Sequence, residues 1–112
     1  MLCHVVRSID AFTRAESSQY DAEGNALLAW ASQSVRAHEL RSQSRLLRGD
    51  PLEELLRTTI DAAVDLAIIG THGRTGFARF YVGSVAEGFL RRASIPVLVV
   101  RAPATVEVER EP

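Results

Sequence analysis

Gly70, Gly73, Gly83 and Ser84 are the residues whose types and spacing point most directly to chemistry. Two residues separate the first pair, nine separate Gly73 from Gly83, and Ser84 follows at once. Glycine lets backbone N–H groups come close to an anion and accepts positive φ at no steric cost. Ser84 opens a helical pattern, and the first N–H groups of a helix are unpaired while its dipole favours negative charge. Together these residues can cradle a phosphate. Taken alone, the glycines describe a plain turn equally well. They form neither a Walker A loop, which ends G-K-[ST], nor G-x-G-x-x-G.

Hydrophobic patterning supplies the elements that would hold this loop. Leu66 to Ile69 and Val97 to Val100 are uninterrupted apolar runs, and a helix over the residues after Ser84 lies between them. The order is strand, long glycine loop, helix, strand. Runs without alternation predict parallel strands buried on both faces. Phe89, Leu90 and Ala93 are expected to face the sheet, and Ser84 with Glu87 can form a capping box that competes with a ligand for the same N–H groups. Gly70 is read as the end of the strand and the start of the loop.

Upstream, Leu2 to Val6 reads as a buried strand and Arg7 to Asp21 as a polar loop. Ala22 to Leu40 is predicted helical, with Leu27, Leu28, Ala31 and Val35 facing inward and Trp30 covering the sheet. Gly24 weakens the early part of that helix. Ser42 to Arg48 is a more polar, edge-type strand. Asp50, Pro51 and Glu53 suit the N-cap, first and third positions of a helix, carried on by Leu52, Leu55, Leu56, Thr59, Ile60 and Ala63.

The stretch GTHGRTGFARFYVGSVAE, followed by a strand that begins Pro-Val-Leu-Val-Val, closely resembles the universal stress protein family. G-x2-G-x9-G-[ST] is that family's ATP-binding signature, and it is complete here. The resemblance implies an α/β fold: an open parallel sheet with flanking helices, of the adenine nucleotide alpha hydrolase-like type. Residues 1–101 would form the domain and 102–112 a C-terminal tail. It implies ATP, with Mg²⁺, as cofactor, phosphates on the amides around Gly70, Gly73, Gly83, Ser84 and Val85, and hydroxyl contacts from Thr71 and Ser84. His72 would orient the loop, Arg74 would pair with phosphate, and Val5 would contact adenine. The family's first strand and helix have no counterpart in these residues, nor has the aspartate near the end of that strand. The two flanking strands, Leu2–Val6 and Leu66–Ile69, are therefore expected either to pair directly in a four-stranded sheet, the first expectation, or to leave a gap that another chain fills. A homodimer through Val97–Val100 is implied as well.

Composition narrows the rest. The 112 residues hold 13 Lys plus Arg against 14 Asp plus Glu, which gives no electrostatic case for nucleic acid or membrane. The single cysteine, Cys3, excludes an intrachain disulfide. No basic-apolar leader is evident, so a cytoplasmic setting is expected. His4, His38 and His72 lack metal-ligand spacing on one element. No carboxylate cluster supports catalysis; a slow ATPase ranks behind a nucleotide-binding domain and behind a dimerisation module that binds no nucleotide.

Overall fold

The computed structural model describes residues 1–7, 13–71 and 83–101. The elements run β1 (Leu2–Arg7), α1 (Arg14–Ala37), β2 (Ser44–Gly49), α2 (Pro51–Asp61), β3 (Ala67–Thr71), α3 (Ser84–Arg92) and β4 (Val97–Arg101). Contacts divide the chain into two units, Met1–Leu55 and Leu56–Pro112, with the boundary inside α2. Each unit is one parallel βαβ arrangement.

In the first unit β1 pairs with β2 from Leu2↔Ser44 to Arg7↔Gly49, and α1 packs on both strands. In the second, β3 pairs with β4 from Ala67↔Val97 to Thr71↔Arg101, and α3 packs on β3. The described strands thus form two separate two-stranded ladders. The expected direct pairing of Leu2–Val6 with Leu66–Ile69 is not made. Each of those strands uses its neighbour in sequence order instead, through the helix that links them.

The first helix begins eight residues before the expected Ala22, so much of the expected polar loop is helical. The cause is local. Thr13 is the N-cap: its hydroxyl accepts from Glu16 N at 3.1 Å, and Glu16 Oε2 accepts from Thr13 N at 2.7 Å. This reciprocal capping box satisfies two orphan donors. Farther along, Arg48 forks onto both carboxylate oxygens of Asp21 and ties α1 to the end of β2. The start of α2 follows expectation, with Glu53 N donating to Asp50 Oδ2 at 3.0 Å.

Burial is sparse and one-sided. Among the described residues, Val6, Leu28, Ala86 and Phe89 are the buried apolar side chains, and Thr58 is buried too. Trp30, expected to cover the sheet, is 65% exposed, while Leu28 and Gly24 make the inward face of α1. Leu90 is exposed where it was expected to face the sheet; Phe89 alone of that helix's large apolar side chains is buried. Ile60 lies outside the packed face of α2. Ile68, Leu98 and Val100 are exposed, so the second ladder is covered on one face only, contrary to the two-sided burial its composition suggests. Cys3 is a free, half-buried thiol whose pKa burial pushes up.

Gly24 sits in a helix interior for a packing reason. A Cβ there would lie 2.7 Å from Leu46 Cδ1 and 2.8 Å from the His4 ring. Alanine gains about 1 kcal/mol of helix propensity, but overpacking costs about 1–3 kcal/mol. Gly24→Ala should therefore lower Tm in thermal unfolding; a raised Tm would contradict this close contact.

Two carboxylates make the first unit acid-sensitive. Hydrogen bonds from Thr13 hold Glu16 below the usual carboxylate range, and the Arg48 guanidinium does the same for Asp21. A depressed folded pKa adds stability above the unfolded value of about 4 and loses it as pH falls through the folded value. Helical circular dichroism should decline on acidification through that window. Asp21→Asn should flatten the decline; an unchanged acid profile in that variant would count against the Arg48 contact.

Candidate functional site

The site is built where β3 ends and α3 begins. In a parallel βαβ unit the helix runs back along the strands, so its N-terminus lies at the rim where the first strand ends, the usual ligand side of such sheets. β3 includes Gly70 and Thr71, so these two residues belong to the strand and not, as expected, to the loop after it.

Strand geometry decides what Gly70 offers. N–H and C=O of one residue point the same way, and successive residues point oppositely. Ala67 N donates across the ladder to Pro96 O at 3.0 Å. Ala67, Ile69 and Thr71 therefore face β4, and Ile68 and Gly70 turn their N–H and C=O to the outer edge. A Cβ on Gly70 would meet only Val100 O, at 3.8 Å, and the residue lacks positive φ. Neither packing nor backbone conformation among the described residues requires glycine here.

The start of α3 has the same character. Gly83 is the N-cap, with φ −53° and ψ 155°, and there is no side-chain cap hydrogen bond. The expected Ser84–Glu87 capping box is not formed, because Ser84 is already the first helical residue. Glu87 turns instead to Arg91, whose Nη2 donates to Glu87 Oε1 at 2.7 Å. The first intrahelical bond is Glu87 N to Gly83 O at 2.9 Å. The N–H groups of Ser84, Val85 and Ala86 precede it, and no acceptor meets them among the described residues. Gly83 and Ala86 are buried, Ala86 at 3% exposure. Buried N–H groups without partners cost about 1–3 kcal/mol each, so this helix start is suited to an external anion. The sequence pattern pointed to Gly83, Ser84 and Val85; it missed Ala86, whose buried amide only the helix boundary reveals.

The other expected site residues divide in two. His72, Gly73 and Arg74 lie outside the described residues, as do the loop residue Asp10 and the tail. Val5 belongs to the first unit, where it is half-buried on β1. Leu2 N donates to Gln43 O at 2.7 Å, so Leu2, His4 and Val6 face β2. Val5 therefore turns a donor and an acceptor outward on one edge, the pair that a base edge needs. Among the described residues, no group of three His, Cys, Asp or Glu could hold a metal ion, and no helix is long and apolar enough to cross a membrane.

Parallel ladders with crossover helices define an α/β domain. Comparison makes the class specific. The universal stress protein family model matches residues 2–101, and the chain belongs to that family. It is 33% identical over 81 residues to the universal stress protein MJ0531 of Methanocaldococcus jannaschii, covering 72% of this chain and 48% of that protein. It is 33% identical over 109 residues to the putative universal stress protein SSP1056 of Staphylococcus saprophyticus, covering 87% of this chain and 64% of that one. The chain thus spans about half to two thirds of the length of these relatives. In three dimensions it resembles the universal stress protein of Archaeoglobus fulgidus, with a TM-score of 0.72 at 19% identity over 87% of this chain and 71% of that one. It also resembles MJ0577 of Methanocaldococcus jannaschii, with a TM-score of 0.79 at 24% identity, over 91% of this chain and 74% of that one. These likenesses establish the α/β fold.

Because Ser84 makes no cap bond and is exposed, Ser84→Ala should leave stability within about 0.5 kcal/mol of the parent. Denaturant unfolding checks this. A loss of about 1 kcal/mol or more would mean that the hydroxyl caps the helix after all.

Proposed function

We propose that this universal stress protein-family chain binds ATP or a related adenine nucleotide in a stress-response role, with the phosphates held at the rim of the second unit. The single observation that carries the reading is the start of α3, where the N–H groups of Ser84, Val85 and Ala86 meet no acceptor among the described residues and Ala86 is buried. Gly70 supports it, since its N–H points away from β4 and, among the described residues, a Cβ there would make only an ordinary contact with Val100 O at 3.8 Å. A phosphate oxygen accepting from these amides would offset their desolvation and complement the helix dipole. The sequence signature extends the cradle to Gly73 and assigns roles to the Thr71 and Ser84 hydroxyls, to His72 and to Arg74. Mg²⁺, carried on the phosphates, would neutralise part of their charge. Val5 is the proposed adenine contact through its outward N–H and C=O.

A cytoplasmic setting fits a chain with one free cysteine. The reading assigns no catalytic residue. A dimer through β4 is a second proposal, favoured by its apolar composition and by Val97, Val99 and Arg101, whose backbone groups alternate away from β3.

Calorimetric titration with ATP tests the reading, with Gly70→Ala and Gly83→Val alongside. Gly70→Ala should fold normally, since among the described residues its Cβ meets nothing closer than 3.8 Å, yet bind at least about tenfold more weakly, a loss of about 1.4 kcal/mol. Gly83→Val should abolish binding. Folded wild-type protein that takes up no ATP would overturn the proposal.

A further inference from the structure

We infer that α3 exchanges between two starts: the open one in the structure, and a closed, autoinhibitory one in which Glu87 caps its own helix. Arg91 holds the open start by drawing Glu87 away. The effect on nucleotide rests on the phosphate cradle proposed above; the exchange between the two starts does not.

The residues for both starts are present. Ser84-Val85-Ala86-Glu87 spells a capping box, serine followed three residues on by glutamate, ahead of the apolar Phe89 and Leu90. In the closed form Ser84 is the N-cap. Its hydroxyl accepts from Glu87 N, and the Glu87 carboxylate accepts from Ser84 N. The structure starts the helix one residue earlier. Gly83 is the N-cap without a side-chain hydrogen bond, and Glu87 N donates to Gly83 O at 2.9 Å. Serine and glycine are both favoured N-caps, and the two starts trade one hydrogen bond to Glu87 N for another. Ser84 is exposed, so it can leave the helical conformation while Ala86 and Phe89 stay buried.

The destination of one carboxylate separates the two starts. Glu87 Oε1 accepts from Arg91 Nη2 at 2.7 Å, one turn toward the C-terminus. Glutamate four residues before a basic residue is the favoured order of such a pair. A Glu87 side chain turned to Arg91 cannot also reach back to Ser84. Both side chains are exposed, Glu87 by 52% and Arg91 by 75%, so water screens the pair and it breaks readily. A contact this weak biases an equilibrium without locking it. The closed start pairs the Ser84 N–H through a charge-assisted bond and sets a negative carboxylate where the proposed phosphate would sit. Glu87 and nucleotide then compete for one donor, and apparent affinity falls with the fraction of closed molecules. Arg91 is thus a positioning residue, acting on Glu87 and not on the ligand.

Amide hydrogen exchange of the ligand-free full chain, with ATP calorimetry on the same samples, tests this. Arg91→Glu replaces the attraction with a like-charge repulsion of similar size, which moves the equilibrium by about two- to fivefold. The Ser84 N–H should then exchange about twofold more slowly, and ATP should bind about twofold more weakly. Arg91→Lys keeps the pair and should match wild type in both. In a Glu87→Ala background Arg91→Glu should have neither effect, since no carboxylate is left to cap the helix. A purely structural role for Arg91 predicts the opposite sign, faster exchange along α3 from a frayed last turn. Unslowed Ser84 exchange in Arg91→Glu, slowing that persists in the Glu87→Ala background, or unchanged ATP affinity where Ser84 is protected would overturn it. Folded wild type that takes up no ATP would sink the nucleotide reading alone, and the exchange data would still decide between the two starts.

Discussion

A parallel ladder of two strands satisfies one row of backbone groups on each strand and leaves the other row open. That constraint runs through this molecule. On β1 it turns Cys3, Val5 and Arg7 outward; on β3 it does the same for Ile68 and Gly70. Buried backbone donors and acceptors are almost always paired in folded proteins. The open rows, and the uncapped amides at the start of α3, are therefore where this chain has binding capacity to spend. That few of the described side chains are buried fits the same picture, because two-stranded sheets carry little core of their own.

The described glycines divide by cause. Gly24 is required by the closeness of α1 to His4 and Leu46. Gly49 ends β2 at φ 134°, a conformation that other residues rarely adopt. Among the described residues Gly70 has neither reason, which is why it enters the proposed phosphate cradle. In the sequence Gly70 and Gly83 look alike; in the structure one is a strand residue whose N–H turns away from β4 and the other a buried helix cap with ordinary dihedrals.

How far the sequence could be read depended on how local each signal was. The Asp50-Pro51-x-Glu53 start of α2 was legible because a cap is decided within four residues. Thr13 and Glu16 carry the same kind of signal, but it was overlooked because the residues that follow are polar. With only Gly24 and Leu28 buried, α1 has almost no apolar period before Leu27. The parallel βαβ units were legible from the unalternated runs. Which strands share a ladder was less legible, because apolar composition says that a strand wants neighbours without saying which strand supplies them. Trp30 was misassigned for a related reason: helical periodicity gives a stripe, not what covers it. The glycine signature named most of the candidate site, and Ala86 escaped it because an alanine amide has no side-chain signature.

The most direct test of the central claim is an amide-resolved NMR titration of ¹⁵N-labelled protein with ATP, with adenosine as the phosphate-free control. Phosphate seated on the open amides should shift the Gly70, Ser84, Val85 and Ala86 resonances and slow their hydrogen exchange, with ATP and not with adenosine. ATP that leaves those four amides unmoved, or that shifts them no more than adenosine does, would contradict the account.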